Sequence, residues 1–276
     1  MIPREKLNVS LGELYDSLFF FESSKNKNAS HYPIHKRILI EDSSLLTWLF
    51  NHLPLTHGMT VFDAGCGTGH ALFRLYEAYQ IQGVGLSLSK EEILFAKSIA
   101  KKLGAKSLDF HQRDLSMNTD DLGKFDLILA IESLKHTHNP IAIIDRLVDQ
   151  LTPDGIMVVV DDFLLNEYSD SMIDGHKQYW NAPGFITVRQ MKTFLENTNQ
   201  VQYELVNHSK YIHSKPAWLI FTIIQFMRIM RAILPRTSIL YRNLTTYLGA
   251  VILELLYRKK KVGYFTWIIK INPESS

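Results

Sequence analysis

The sequence predicts a doubly wound α/β fold: a seven-stranded, mostly parallel sheet with helices on both faces and a helical lid inserted before the last strand. Three observations carry this. Short apolar strands alternate with amphipathic helices from residue 58 to about 160, the rhythm of right-handed βαβ crossovers. Several strand segments are apolar almost throughout, as strands covered on both faces are. A long apolar helical region, about 212–260, then precedes a final stretch rich in β-branched and aromatic residues.

Element by element, residues 1–57 read as an N-terminal segment of helix and polar loop. Asp42 or Ser43 is placed to cap a helix reaching about His52, with Leu45, Leu46, Leu49 and Phe50 on one face. Thr60-Val61-Phe62 is a strand ending at Asp63, Gly65 to Gly69 a turn, and His70 to Tyr79 a helix. Gly83 to Ser87 is the second strand. Lys90 to Leu103 is a helix closed by Gly104. Leu108 to His111 and Phe125 to Ile131 follow as strands. Ile141 to Leu151 is a helix stopped by the turn Thr152-Pro153-Asp154-Gly155, and Ile156 to Val160 is the fifth strand. Tyr179 and Trp180 fall on a linker. Val188 to Asn197 is a helix and Val201 to Asn207 a strand. Residues 216–259 form two or three helices broken at Pro235, and Gly263 to Ile271 is the last strand.

Composition sets bounds. The chain has 276 residues, 46% hydrophobic and 21% charged, enough for a sizeable core. A formal net charge of +2 gives no argument for a nucleic-acid partner. The single cysteine, Cys66, excludes an internal disulfide framework and suits a reducing, cytoplasmic setting. The apolar run Leu18 to Phe21 is too short for a secretory signal core. The eleven histidines lack the spacing of a zinc site, so no metal is expected.

Ligands of open α/β sheets bind beyond the carboxyl ends of the strands. Asp63, Ser87, Asp114, Glu132 and Asp161 all fall at or just after such ends. The strongest signal is Asp63-Ala64-Gly65-Cys66-Gly67-Thr68-Gly69. Its glycines let the backbone approach a ligand closely, and the helix behind it offers unpaired N–H groups. Its G-x-G-x-G spacing departs from the dinucleotide G-x-G-x-x-G. With an acid in front, it suits a ligand carrying both an ammonium and a carboxylate.

These residues resemble the class I S-adenosylmethionine (SAM) dependent methyltransferases. Val61 to Gly69 resembles their first motif, Gly85-Leu86-Ser87-Leu88-Ser89 their second strand end, and Phe110 to Asp114 the segment that places an acid near the adenine. Phe125 to Glu132 resembles their fourth-strand motif. Ile131-Glu132-Ser133-Leu134-Lys135-His136 is similar to the M-E-S-x-E-H of the tocopherol-methyltransferase-like small-molecule enzymes, with Lys135 where they carry glutamate. Ser87 stands where an acid commonly grips the ribose.

The resemblance implies a Rossmann-like methyltransferase fold and SAM as cofactor, held by Asp63, Ala64, Gly65, Cys66, Gly67, Gly69, Leu86, Ser87, Arg113, Asp114, Leu115, Ile131 and Glu132. It implies an N-terminal segment, 1–57, closing over the cofactor, with Tyr15 or Tyr32 as candidate contacts. It implies methyl transfer to a small, rather apolar secondary metabolite (isoprenoid, quinol, polyketide or amine) at carbon, oxygen or nitrogen. His136 and Glu132 are the catalytic candidates, and Tyr179, Trp180 and His136 the substrate contacts. A SAM-binding regulatory or partner subunit is the alternative. The stretch 216–234 carries Gln225, Arg228 and Arg231 among apolar residues. Such a helix can lie on a membrane surface; a lid or homodimer helix is the other reading.

Overall fold

The computed structural model describes residues 39–41, 43–198 and 200–272. The first 38 residues, and with them Tyr15, Tyr32 and most of the expected closing segment, lie outside the described residues, as does Asp42.

Seven strands form one sheet: β1 Thr60–Ala64, β2 Gln82–Ser87, β3 Leu108–Gln112, β4 Phe125–Ile131, β5 Leu151–Leu164, β6 Val201–Asn207 and β7 Val262–Ile271. The spatial order is β3-β2-β1-β4-β5-β7-β6. Pairs from β3 to β5 are parallel, and β7 runs antiparallel to both β5 and β6. The order reverses between β1 and β4, the point where such sheets open a crevice. Eight helices among the described residues accompany the sheet: α1 Leu45–His52, α2 His70–Tyr79, α3 Lys90–Leu103, α4 Pro140–Asp149, α5 Ser171–Tyr179, α6 Val188–Asn197, α7 Ala217–Ile233 and α8 Ile239–Arg258.

Strand alternation builds two cores. Val61, Leu127, Leu129, Val158 and Val160 face one side, with α1, α2, α3, α5, α7 and α8. Phe62, Ile128, Ala130, Met157 and Val159 face the other, against α4 and α6. The period of two along a strand assigns each side chain to its layer.

Three expectations are corrected. Ser44, rather than Asp42 or Ser43, caps α1: its hydroxyl accepts from Thr47 N, while Ser43 and Ser44 pair with Ile40 and Leu39 in a two-residue hairpin. The turn 152–155 lies inside β5, as an irregularity that shifts the register against β4 from Phe125↔Leu151 to Leu127↔Ile156. Thr152 Oγ1 fastens it to Asp126 Oδ1 at 3.0 Å, so the Pro-Gly turn bends a strand that continues on either side. The linker bearing Tyr179 is helix α5, capped by Asp170, whose carboxylate accepts from Met172 N at 2.8 Å.

The insert is two helices, as expected. α8 packs on α5 across Gly249, where a Cβ would lie 2.7 Å from Trp180 N and 3.0 Å from Trp180 Cβ. His176 Nδ1 donates to the Gly249 carbonyl at 2.9 Å. In an isolated helix Gly→Ala stabilises by roughly 0.5–1 kcal/mol. Here the close approach reverses the sign: Gly249→Ala is expected to destabilise by about 1–3 kcal/mol, read as a lower urea midpoint.

Candidate active site

The glycine turn sits at the C-terminal end of β1, next to the reversal in strand order. Gly65 has φ +102°, and a Cβ there would stand 2.3 Å from Ser133 Cβ, so only glycine lets the turn lie against the β4 loop. Gly69, at φ +81°, caps α2 without a side chain. The N–H groups of Gly65 and Cys66 both donate to Leu86 O, at 3.1 and 2.8 Å. They tie the turn to β2, so the N–H groups open to a ligand begin later in the turn and at the start of α2. Ser133 Oγ donates to Ala64 O at 2.6 Å and closes the other side.

Asp63 is 3% exposed, and burial pushes its carboxyl up from 3.8 to about 7. An acid held there against its solvation is matched by a cation placed beside it. Burial, then the Asp63 and Glu92 charges, push the Cys66 thiol well above its ordinary range, so Cys66 is a packed, inert thiol.

At the end of β2, Ser87 Oγ donates to Glu92 Oε2 at 2.6 Å. Glu92 lies in the first turn of α3 and is buried. Its carboxylate oxygens stand 3.8 and 3.9 Å from where a Cβ would sit on Gly67. An acid therefore does flank the turn on the β2 side, supplied by the helix five residues beyond the position where sequence reasoning sought it. The signal in the sequence, Ser89-x-x-Glu92, reads as a helix capping box and so conceals it.

Beyond β3, the Asp114 carboxylate caps its own turn by accepting from Ser116 N at 2.8 Å, and Leu115 is buried beside it. Arg113 is committed elsewhere. Its guanidinium is bidentate to Asp121, at 2.9 and 2.8 Å, and also donates to Asn118 O.

The fourth-strand side is held by a buried polar network. β4 ends with Ile131 opposite Val160, so from Asp161 onward the edge of β5 is open and the turn after β4 fills it. Glu132 has φ +53° and donates its N–H to Val160 O at 2.7 Å. Glu132 and His136 do not lie on one helical face. A left-handed residue and the short 3₁₀ turn Leu134–His136 separate them, because the chain must fold back onto β5 at once. Lys135 is 4% exposed, and its ammonium lies 2.8 Å from both Asp161 Oδ1 and Asp162 Oδ2. Burial opposes the charge, but Asp161, Asp162 and Glu132 hold Lys135 well above its ordinary range.

Burial pushes the Asp161 carboxyl up, against the pull of Lys135. Tyr257 of α8 donates its hydroxyl to Asp162, and Tyr264 of β7 donates to Glu132 Oε1 at 2.8 Å. Burial, then these carboxylates, push both phenols well up, so both remain donors.

His136 Nδ1 donates to the Asn181 carbonyl at 2.9 Å, which fixes the neutral tautomer. Burial and then the Lys135 charge lower its pKa from 6.5 to about 3. Tyr179 is buried at the end of α5 with the Arg231 guanidinium 5.0 Å from its ring centre, and Trp180 is half-buried beside Gly249. Sequence reasoning brought Asp63, Gly65, Gly67, Ser87, Glu132 and His136 to one end of the sheet. It missed Glu92, Asp162, Tyr257 and Tyr264, the last two because each comes from an element remote in sequence.

The residues present fit SAM. An acid raised by burial faces the turn from β1, a second acid borders Gly67, and a helix N-terminus follows. Residues 55–212, more than half of the chain, match the methyltransferase domain family. The chain belongs to this family. It is a class I SAM-dependent methyltransferase domain, and SAM is its cofactor.

Among its relatives, a probable (S)-tetrahydroprotoberberine N-methyltransferase of Papaver bracteatum is 26% identical over 79% of this chain and 60% of its own length. The 2-methyl-6-phytyl-1,4-hydroquinone methyltransferase of Synechocystis is 25% identical, over 60% of this chain and 54% of its own. The chain thus spans 60% or less of the length of these curated relatives. The fold is shared with an O-methyltransferase of a Brevibacillus brevis polyketide synthase solved with S-adenosylhomocysteine, at TM-score 0.65, 18% identity, and 99% and 83% coverage of the two chains. It is shared also with the cyclopropane synthase MmaA2 of Mycobacterium tuberculosis, at TM-score 0.65, 15% identity, and 96% and 95% coverage.

The buried network makes a stability prediction for this methyltransferase domain. Lys135→Met strands two carboxylates and is expected to cost about 3–5 kcal/mol in chemical denaturation at neutral pH.

Proposed function

We propose that this chain transfers the methyl group of SAM to a small, largely apolar secondary metabolite in the cytoplasm, at a carbon, oxygen or nitrogen acceptor. The observation that carries the reading is the pair of buried acids, Asp63 and Glu92, on either side of the Gly65–Gly69 turn.

Bound SAM supplies an electrophilic methyl group on a sulfonium. Asp63 takes the ammonium of the donor, and N–H groups at the start of α2 take its carboxylate. Glu92, oriented by Ser87, accepts from the ribose hydroxyls, and Asp114 with Leu115 borders the adenine. On the acceptor side, Glu132 is oriented by Tyr264. His136, oriented by Asn181, presents a neutral imidazole. Tyr179 and Trp180 border the same region from α5. Methyl transfer is a displacement in line with the leaving sulfur, so holding acceptor and donor in register supplies much of the barrier reduction. The apolar insert supports an apolar acceptor. Its helix α8 is joined to the acceptor side directly, through Tyr257 and Asp162.

Labelled SAM mixed with quinol, isoprenoid, polyketide and amine pools tests the reading; transfer to none of them, with no binding of S-adenosylhomocysteine, overturns it. Two finer outcomes are expected. Because the Asp63 carboxyl titrates at about 7, donor binding must displace a proton at lower pH. Affinity for S-adenosylhomocysteine is expected to fall about tenfold per unit below pH 7, with proton release seen by calorimetry in two buffers. Asp63→Asn removes that dependence. Glu92→Ala is expected to weaken S-adenosylhomocysteine binding by about tenfold or more. The turnover profile is expected to show no inflection from His136 between about pH 5 and 9, since its ring is protonated only near 3.

A further inference from the structure

Arg146 stands on α4 beside the turn that follows β3. Its Nη2 donates to the Leu115 carbonyl at 2.5 Å, and its Nη1 reaches the Ser116 carbonyl at 3.5 Å. Among the described residues no carboxylate pairs with it, and its Nε is buried with no partner. For stability alone such a residue is a poor choice. A methionine or leucine there would pack without leaving a buried donor unmet.

The geometry gives Arg146 a different use. The Leu115 C=O and the Ser116 N–H belong to one peptide unit, which is planar, with oxygen and hydrogen on opposite sides. Arg146 holds the oxygen. The N–H donates to Asp114 Oδ1 at 2.8 Å. A charged donor on the oxygen side makes the N–H a stronger donor on the other. Rotation of this one plane would break both bonds together, so the guanidinium and the Asp114 carboxylate are set in relation to each other. The Leu115 side chain is buried in the same cluster as Ile144 and Leu147 of α4, so the turn is fastened to that helix by side chain and by carbonyl. The second oxygen of Asp114 has no partner among the described residues and is the one open to a ligand.

Gln150, one helical turn further along α4, provides the contrast. Its Oε1 accepts from the Thr119 hydroxyl at 2.7 Å, and its Nε2 donates to the Thr119 carbonyl at 2.6 Å. It is buried, and its amide is satisfied on both atoms. Gln150 anchors the far part of the same loop as a structural residue does. Arg146 holds only the two carbonyls next to Asp114, at the expense of its own Nε.

We propose that Arg146 is a positioning residue for the donor's adenine. Acting through the Leu115–Ser116 peptide, it aims the free oxygen of Asp114 at the exocyclic amino group of the base. This rests on the reading above that the adenine lies against Asp114 and Leu115.

The test is titration calorimetry of the full chain with S-adenosylhomocysteine and with S-inosylhomocysteine, in which a carbonyl oxygen replaces the exocyclic amine. The wild-type chain is expected to prefer the adenine form by about tenfold or more. Arg146→Met removes the donors, and is expected to lower affinity for S-adenosylhomocysteine about tenfold while leaving S-inosylhomocysteine little changed, so that the preference collapses. Arg146→Lys keeps the charge without the fork, and its preference is expected to fall between the two. Methionine and lysine both suit a helix, so α4 is retained. The preference is a ratio of affinities, which the folded fraction of a sample does not alter.

Asp114→Asn separates this proposal from the reading beneath it. The amide still accepts from Ser116 N but presents an N–H₂ where the free oxygen stood, and the preference is expected to vanish. If Asp114→Asn loses the preference while either Arg146 variant keeps it at the wild-type level, or Arg146→Met weakens both ligands equally, Arg146 only supports the loop; the proposal falls and the donor site stands. If Asp114→Asn keeps the preference, the adenine lies elsewhere, and both fall.

Discussion

A lysine ammonium out of water is tolerable only where carboxylates surround it, and Lys135 is such a lysine. Its two ion pairs, to Asp161 and Asp162, are the constraint from which the arrangement of the turn after β4, the proposed acceptor side, follows. They pin the turn after β4 into the open edge of β5. With that turn fixed, Glu132 and His136 have no latitude on either side of it: one is held by Val160 and Tyr264, the other by Asn181. Asp162 also accepts from Tyr257, so the same cluster ties α8, and with it the helical insert, to the sheet. A cluster of this kind contributes less to net stability than apolar packing of equal volume would, and breaking it by half is severe. What it supplies is a single arrangement of the loop, the insert and the last strand.

The sequence announces elements whose signals are local. α3 begins after Ser89 and ends at Gly104 because the capping hydroxyl and the left-handed glycine are both in the chain at those points. β4 is apolar apart from Asp126 and is read to the residue. The glycine turn is legible for the same reason, since its conformation is demanded by residues within it. Legibility fails where a distant partner decides. Thr152 to Gly155 has the composition of a terminator, yet pairing with β4 and the hydrogen bond to Asp126 carry the strand through it. α5 has a glycine at 175 and a mixed polar pattern, so its helix rests on its cap and on packing against α8. Lys135 reads as a departure from a motif, and only the two aspartates on β5 give it a meaning.

The two acids of the donor side show the same division. Asp63 is visible because it precedes the glycines directly. Glu92 is hidden because a glutamate three residues after a serine already has an explanation as a cap. The structure shows that it also takes the hydroxyl of Ser87, so that in the proposed donor site a serine on the strand and a glutamate on the helix stand together where one acid on the strand would. A charge moved from strand to helix keeps its place beside Gly67 while freeing the strand position for a neutral donor, and for that reason a missing strand acid is weak evidence against ribose recognition in this fold.

On the opposite side, the chemistry is set by what the network has already consumed. Lys135 is neutralised by its aspartates, Tyr257 and Tyr264 stay protonated, and His136 takes a proton only near pH 3. An imidazole of that basicity gains little from accepting a proton at neutral pH, but as a fixed dipole it costs nothing to reorganise during the reaction. The proposed transfer therefore leans on acceptors that reach the site already nucleophilic, a neutral amine or an ionised or readily ionised hydroxyl. In that proposal the rate depends on how tightly the Glu132 and His136 arms are held, which returns the question of catalysis to the buried lysine that holds them.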